Sequence, residues 1–323
     1  MTMTAPGPVT TAAAPPVPEP APGRRRRRAA EQAGRGIVSA AEWRSPVTGA
    51  LLRLAHAVLL AALVVVGLGP LLWLVKASVS TTQDTLRDPM GLFPSGVDWA
   101  NLATAWSEVH IDLHFFNSMA VAIGSWLVQL VVATTGGYAL AILRPRYGPV
   151  LYWLVLSTLF VPAVVLLVPL YLTVIDPPLL GTSLIDTFWA VWLPAGANAF
   201  NVLLATRFFA NLPREVFEAA RIDGAGPARI FWSVLLPMSR PILGVISVFA
   251  FVAAWKDFLW PLLVLRDPDI QPLSVRLPTL ARSIELDVLL AALTISALIP
   301  VALFLVFQRT FLRSAGLSGA LKG

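Results

Sequence analysis

Residues 218–241 read EAARIDGAGPARIFWSVLLPMSRP, a charged segment with several Gly and Pro residues that separates two long apolar runs. Pro213 suits the first turn of a helix, and Gly224 is predicted to end that helix in a left-handed cap. Pro227 then begins a second helical piece, which Pro237 is predicted to close. The sequence therefore predicts a short helix, a bend and another short helix, in a polar loop suited to contact with a partner.

The first of these helices is compatible with two roles. As a solvated linker it would be held by Arg214 with Glu218 and by Glu218 with Arg221, each pair contributing about 0.2–0.5 kcal/mol. Such pairs explain helicity, but they do not explain the Gly and Pro residues. The small side chains of Ala219 and Ala220 also allow another surface to approach the backbone. The pattern therefore favours a docking helix over a linker.

The composition indicates a membrane protein. Hydrophobic residues make up 57% of the chain and charged residues only 13%, whereas about 25% of the residues of a soluble domain are charged. About 20 apolar residues cross a hydrocarbon core of ~30 Å. We therefore predict an all-α membrane protein with six transmembrane helices, near residues 57–75, 119–143, 150–174, 187–204, 242–265 and 288–307.

The basic residues predict the orientation in the membrane. If the N-terminus is cytoplasmic, most of the 24 Lys and Arg residues lie inside, as the positive-inside rule requires. Both termini and the loop 207–240 are then cytoplasmic, in the inner membrane of the cell. The arginine run 24–28 is expected to contact the anionic lipid bilayer. A nucleic acid is not expected as a partner, because no aromatic residues are interleaved with that run.

The chain is predicted to have two parts. Residues 1–45 are rich in Pro, Ala and Arg, cannot support a packed core and are expected to be disordered. Residues 46–323 form the transmembrane domain, which ends in a tail at 308–323. The absence of cysteine excludes disulfides and thiolate metal sites.

Polar residues inside the predicted spans are candidates for a solute pathway. Lys256 and Asp257 lie in the fifth predicted span, with Lys256 about 21 Å along a helix of ~36 Å. An unpaired Lys at that depth costs about 2.5–3.5 kcal/mol, so it is expected to face the bundle interior or a wet cavity. Lys256 therefore forms an ion pair, extends its side chain to the outer face of the membrane, or contacts a solute in a pathway through the bundle.

Asn198 and Asn201 raise the same question in the fourth predicted span. They are three residues apart and are therefore predicted to share one helical face. Hydrogen bonds between helices commonly use such side chains. A solute pathway would also need polar side chains, so both roles stay open for these two residues.

No enzyme site is predicted. The chain has no GxxxxGK[ST] phosphate loop to hold a nucleotide, so no ATPase site of that kind is predicted on it. His56, His110 and His114 do not form a metal-binding HExxH pattern, and the last two are expected in a surface loop. No cofactor and no metal are expected.

The segment 218–241 resembles the EAA loop of the membrane subunits of ATP-binding-cassette importers. The matching positions are Glu218-Ala219-Ala220, Asp223-Gly224-Ala225, Phe231, Leu235-Leu236-Pro237 and Pro241. Further matches cover roughly residues 50–323 and are similar to the carbohydrate-uptake branch, especially to the second, shorter permease subunit of the maltose transporter. Among them are Asn117-Ser118, Val168-Pro169-Leu170-Tyr171, Trp255-Lys256-Asp257-Phe258 and the ending Gly319-Ala320-Leu321-Lys322-Gly323.

The resemblance implies a type I importer fold with a cytoplasmic coupling helix. It implies that this helix contacts an ATPase subunit through Glu218, Ala219, Ala220, Arg221, Asp223 and Gly224. The implied partners are a second permease subunit, a cytoplasmic ATPase dimer and an extracytoplasmic solute-binding protein. The implied solute is a sugar or an oligosaccharide.

One departure from the family pattern and two alternative functions remain. The family often has Asn where this chain has Lys256. Neighbouring branches that transport other polyols or glycerol-phosphates share much of the pattern, so such a solute is the first alternative. A self-sufficient secondary carrier is the second. It would show an inverted internal repeat with intramembrane carboxylates, and the sequence has no clear repeat.

Overall fold

The computed structural model describes residues 46–91, 93–178 and 180–316. The predicted tail 1–45 and residues 317–323 of the C-terminal tail lie outside these ranges. Every regular element within them is helical, which confirms the all-helical class. The helices are α1 (Pro46–Ser78), α2 (Thr82–Arg87), α3 (Ala100–Glu108), α4 (Ile111–Tyr138), α5 (Gly148–Thr158), α6 (Ala163–Ile175), α7 (Trp189–Ala195), α8 (Ala199–Ala210), α9 (Arg214–Ile222), α10 (Pro227–Ile230), α11 (Leu236–Met238), α12 (Arg240–Lys256), α13 (Leu259–Val264), α14 (Leu273–Leu280) and α15 (Leu286–Gly316).

The chain divides into two units, and the boundary follows Pro70. The described residues of the first unit, 46–70, belong to α1, a long apolar helix whose side chains are mostly exposed. The second unit begins at Leu71 and carries α2 to α15. Exposed apolar side chains along a helix of this length are suited to a lipid environment.

Two helical stretches within the described ranges are long and apolar enough to cross a membrane by themselves. They are Gly49–Ser78 and Ile111–Leu143, the second consisting of α4 and a π-helical turn, Ala139–Leu143. Two further pairs of helices pass the same test but are bent, by 108° between α5 and α6 and by 82° at the start of α12. The described part of the chain therefore has two to four spans by length and composition.

Helix α4 is central to the second unit. It packs against α8 and α12, and also against α7. The approach of α4 to α8 depends on Gly137, where an added Cβ would lie 2.9 Å from the Cβ of Ala205. The indole of Trp192 on α7 donates a hydrogen bond to the carbonyl oxygen of Ala120 at 2.9 Å. Small residues and one partly buried hydrogen bond thus fix α7 and α8 against α4.

Three of the predicted spans are interrupted. The third bends between α5 and α6. The fourth breaks between α7 and α8, where Asn198 has an extended backbone with ψ 94°. The continuous helix predicted over 242–265 is wrong, because α12 ends at Lys256 and Asp257 is extended with ψ 127°. The hydroxyl of Ser274 donates to the carbonyl oxygen of Asp257 at 2.7 Å, which supplies a partner for a backbone group at the break.

The start of α4 also differs from the prediction for His110 and His114. His110 does lie outside the helix, with a left-handed φ of 52°. His114, however, lies within α4 and is buried, and its Nδ1 is 2.8 Å from the carbonyl oxygen of Gln271. The surface position predicted for His114 is therefore wrong, since its ring joins α4 to the segment before α14.

Candidate functional site

Helix α9 has the boundaries that its sequence predicts. Pro213 precedes the first helical residue, with φ −58° and ψ 123°. Gly224 follows the helix with φ +78°, which confirms the left-handed ending. The N–H of Gly224 donates to the carbonyl oxygen of Arg221, and the N–H of Ala225 donates to that of Ala220. These bonds satisfy carbonyl groups that the end of a helix otherwise leaves free.

Helix α9 is anchored by one buried side chain, and most of its other side chains are exposed. Phe217 is 4% exposed and lies in an apolar cluster with Tyr138, Phe209 and Ile246. Of the other residues, Glu218, Ala219 and Arg221 of α9 and Asp223 directly after it are exposed, whereas Ala220 is half-buried. Ile222 is 86% exposed, a large apolar side chain at the tip of a polar loop. Such a surface is typical of a protein interaction site.

The ion pairs expected for a linker helix are not formed. Among the residues that the structure describes, no carboxylate lies within 4.0 Å of Arg214 or Arg221, so neither pairs with Glu218. All three charged side chains instead line a cavity of about 180 Å³ together with Arg144. The charges of α9 are therefore left exposed for another molecule.

The segment after α9 departs from the prediction at Pro237. Helix α10 continues through a π-helical turn, Phe231–Leu235, into α11, and helical structure ends only at Ser239. The N–H of Leu236 donates to the carbonyl oxygen of Phe231, five residues back. Pro237 thus lies in the first turn of α11, where its missing N–H is tolerated. It does not close the helix.

A second cavity of about 730 Å³, the membrane cavity, lies where the three interrupted spans meet. Its lining includes the residues at each interruption, Ala163 of α6, Asn198 before α8 and Asp257 after α12. Irregular backbone at membrane depth is tolerated only where it is buried in protein or lines a wet cavity. The membrane cavity therefore accounts for the helix breaks, because it can supply water or a solute as partner for the backbone groups at each break.

The two asparagines occupy different positions. Asn198 is the N-cap of α8, and its Oδ1 accepts a hydrogen bond from the N–H of Asn201 at 3.0 Å. Asn201 is buried inside α8, and its Nδ2 donates to Oε1 of Gln129 on α4 at 2.8 Å. The single helical face predicted for this pair is wrong, because the helix begins only after Asn198. Asn198 lines the membrane cavity, whereas Asn201 lies behind Gln129.

The end of α12 at Lys256 places Lys256 and Asp257 in different surroundings. Asp257 is half-buried and lines the membrane cavity, with the backbone N–H groups of Phe258, Leu259 and Trp260 near its carboxylate. Lys256 is exposed and is not part of the lining. Within the described ranges no carboxylate is within 4.0 Å of its ammonium group, so the ion pair left open by the sequence is not formed.

Most lining residues were not predicted from the sequence, among them Ser125, Gln129 and Trp260. Ser125 and Gln129 come from α4, and Trp260 comes from α13. Gln129 was detectable, because a buried amide inside an apolar span needs a partner. Ser125 was not, since an isolated Ser in a transmembrane helix usually bonds to its own backbone.

Comparison with known proteins decides the family. The family model described as "Binding-protein-dependent transport system inner membrane component" matches residues 133–315. The chain belongs to this family. The chain is 32% identical over 262 residues to the diacetylchitobiose uptake system permease protein NgcG of Streptomyces coelicolor, covering 79% of this chain and 84% of NgcG. It is 30% identical over 271 residues to the sn-glycerol-3-phosphate transport system permease protein UgpE of Agrobacterium fabrum, covering 80% of this chain and 94% of UgpE.

The fold has a solved counterpart as well. A chain of a bacterial ABC transporter involved in the import of the acidic polysaccharide alginate matches with a TM-score of 0.72 and 22% identity, over 85% of this chain and 99% of that one. The family member described here therefore has a type I ABC importer permease fold. It is a multi-pass inner-membrane transport permease and not an enzyme, and its family implies an ATPase and a solute-binding protein as partners.

Proposed function

We propose that this chain is one of two permease subunits of an importer that takes up a sugar or an oligosaccharide. An extracytoplasmic solute-binding protein delivers the solute, and a cytoplasmic ATPase dimer hydrolyses the ATP. Residues 46–323 form the permease domain, which crosses the membrane six times with both termini in the cytoplasm. Residues 1–45 form a tail that transport does not require.

The exposed face of α9 is the observation that carries this proposal. Glu218, Ala219, Ala220, Arg221, Asp223 and Gly224 form a charged surface with small side chains, and no ion pairs within the described chain occupy it. A helix that presents exposed charges and an exposed Ile222 is suited to a groove on the ATPase. Its buried Phe217 holds it to the membrane helices.

The buried Phe217 also suggests how a movement of α9 is transmitted to the solute. The cluster around Phe217 includes Tyr138 of α4, Phe209 of α8 and Ile246 of α12. Two of these helices, α4 and α12, also supply lining residues of the membrane cavity, and α8 begins directly after Asn198. A displacement of α9 by the ATPase would therefore be passed on to the walls of the membrane cavity, which is the conformational coupling that an importer needs.

The choice of a sugar as solute rests on two observations. One relative is named for diacetylchitobiose uptake, and the structural counterpart is a transporter involved in the import of an acidic polysaccharide. The membrane cavity also carries the amide and hydroxyl groups that a polyhydroxylated solute needs. The similarity to UgpE keeps a glycerol-phosphate-type solute as the alternative function. A self-sufficient secondary carrier would need neither the α9 surface nor the partners.

Purification of the native complex tests the proposal. We expect this chain to bring a second permease and an ATPase from the membrane. In proteoliposomes, the external binding protein loaded with one sugar of a panel should stimulate ATP hydrolysis. Isolation of this chain alone with intact, energised uptake would show a secondary carrier instead.

A further inference from the structure

We propose that Ser125 and Gln129 form a hydrogen-bonding subsite for the hydroxyl groups of an uncharged solute in the membrane cavity, and that Asp257 makes the cavity unfavourable for a phosphorylated one. This inference rests on the proposed function, because it assigns a solute class to that permease. It separates the two solute types, sugar and glycerol-phosphate, for which the chain's relatives are named.

The hydroxyl of Ser125 is the first support. Ser125 is 1% exposed, lines the membrane cavity, and its Oγ has no hydrogen-bond partner among the described residues. A Ser inside a helix normally donates to a carbonyl oxygen three or four residues back, as Thr134 does on the same helix. A buried hydroxyl that forgoes this bond beside a cavity is therefore free to bond a hydroxyl group of the solute.

Gln129 lies one turn further along α4 and is held in place. It is 5% exposed and lines the same cavity. Its Oε1 accepts from Nδ2 of Asn201, which fixes the orientation of the amide. Because residues four apart share a helical face, Ser125 and Gln129 present a hydroxyl and an amide to the same side of the cavity. Asn201 acts through Gln129 and is a positioning residue.

The remaining lining is suited to a neutral sugar. Most of it is apolar, and the indole of Trp260 is fixed by a hydrogen bond to the carbonyl oxygen of Ala190 at 3.0 Å. An apolar wall with few well-placed polar groups is typical of small-molecule sites, and about 730 Å³ lies within their range of roughly 300–1,000 Å³. An aromatic face supplies a packing surface for the apolar face of a sugar ring.

The charge of the lining is opposed to an anionic solute. Of the described residues that line the membrane cavity, Asp257 is the one with a charged side chain, and no Lys or Arg accompanies it. A phosphate group in this cavity would meet a carboxylate without a compensating cation, and such repulsion is strong away from bulk water. Phosphate sites use Arg or Lys instead, and the three backbone N–H groups near Asp257 are already engaged by its own carboxylate.

The test measures direct binding to the purified complex in lipid nanodiscs, without the external binding protein. The probes are diacetylchitobiose, maltose, maltose 1-phosphate and sn-glycerol 3-phosphate, and the readout is the rise in melting temperature with probe concentration. We expect at least one neutral sugar to stabilise the complex and each phosphorylated probe to do so only at higher concentration. Ser125→Ala and Gln129→Leu should each raise the half-saturating concentration of the neutral sugar about two- to tenfold, the range for one neutral hydrogen bond.

Two further variants complete the test. Thr173→Val is the matched control, because Thr173 lines the cavity but donates its hydroxyl to the carbonyl oxygen of Pro169. It should leave the half-saturating concentration unchanged. Asp257→Asn should reduce the difference between maltose and maltose 1-phosphate. Stabilisation by neither neutral sugar, stronger binding of the phosphorylated probes, or equal effects of Ser125→Ala and Thr173→Val would overturn the subsite. The proposed function is judged separately, by the presence of the ATPase and the second permease in the same preparation.

Discussion

Helix α9 and the membrane cavity differ in how they are encoded along the chain. All of α9 lies between Pro213 and Gly224, and its ends are set by those two residues. The membrane cavity instead joins residues of five helices, α4, α6, α7, α12 and α13. A hydrogen bond at the cavity links Gln129 to Asn201, 72 residues away. A partner-binding segment of this kind can be read from local sequence, whereas a cavity depends on how distant helices pack.

The two regions also differ in what holds them. Helix α9 is attached through one buried aromatic ring, Phe217, while its polar side chains stay exposed. At the membrane cavity Ser125 and Gln129 are buried, and the side chains of Gln129, Asn198 and Thr173 form hydrogen bonds within the protein. A docking helix can therefore move as a body, and the cavity can change only when its helices change their packing.

The largest expected effect is in topology, since it is all-or-none. Asp98, Glu215 and Asp269 are all exposed, so a cysteine at any of them is reachable from one side of the membrane. An impermeant thiol reagent added outside should label Asp98→Cys and Asp269→Cys but leave Glu215→Cys unlabelled. Labelling of Glu215→Cys from outside would put α9 on the wrong face for an ATPase.

The second largest effect is expected from removing the side chain of Phe217, which attaches α9 to the membrane helices. Phe217→Ala removes a 4% exposed ring from its cluster, and Phe to Ala changes in cores cost about 3–5 kcal/mol. We expect a lower melting temperature and strongly reduced transport. Val216→Ala is the control, because Val216 is 39% exposed on the same helix. Equal losses in the two variants would mean that Phe217 is not the attachment point of α9.

A smaller effect is expected where α4 meets α8. Gly137→Ala places a Cβ 2.9 Å from the Cβ of Ala205, and overpacking of this kind costs about 1–3 kcal/mol. Gly67→Ala is the matched control, since no atom lies within 4 Å of its added Cβ. Thermal denaturation of the complex should separate the two variants. Identical curves would show that the close approach at Gly137 does not limit the packing of α4 against α8.

The smallest effect is expected from the N-terminal tail. Residues 1–45 lack the apolar content to bury surface, so deleting them while keeping Arg44 and Arg53 as orientation signals should leave both α9 and the membrane cavity unaffected. Solute uptake by membranes that contain the shortened chain checks this. Lost uptake at normal membrane levels would assign the tail a role in transport.

The sequence predicted the structure of α9 better than that of the membrane cavity. The Gly and Pro residues around α9 predicted its ends because turn chemistry is local. Pro237 and the fifth span were mispredicted, since a π-helical turn and a helix break depend on neighbouring helices. The sequence could indicate Asn198 and Asp257 as lining residues, because polar residues inside membrane spans are rare and often have a function. Ser125 carried no signal until packing placed it at a cavity.

The most direct test of the central claim is the coupling of ATP hydrolysis to uptake in Gly224→Asp. A side chain at φ +78° is strained by roughly 1–2 kcal/mol, which should weaken docking on the ATPase about 5- to 30-fold without affecting membrane insertion. Gly226→Asp adds the same charge to the same loop at φ −69°, with no atom within 4 Å of its added Cβ. We expect Gly224→Asp, and to a lesser degree Glu218→Lys, to hydrolyse ATP with little uptake or to lose the ATPase, while Gly226→Asp remains coupled. Normal coupled transport in Gly224→Asp and Glu218→Lys, at normal expression, would show that α9 is only a linker.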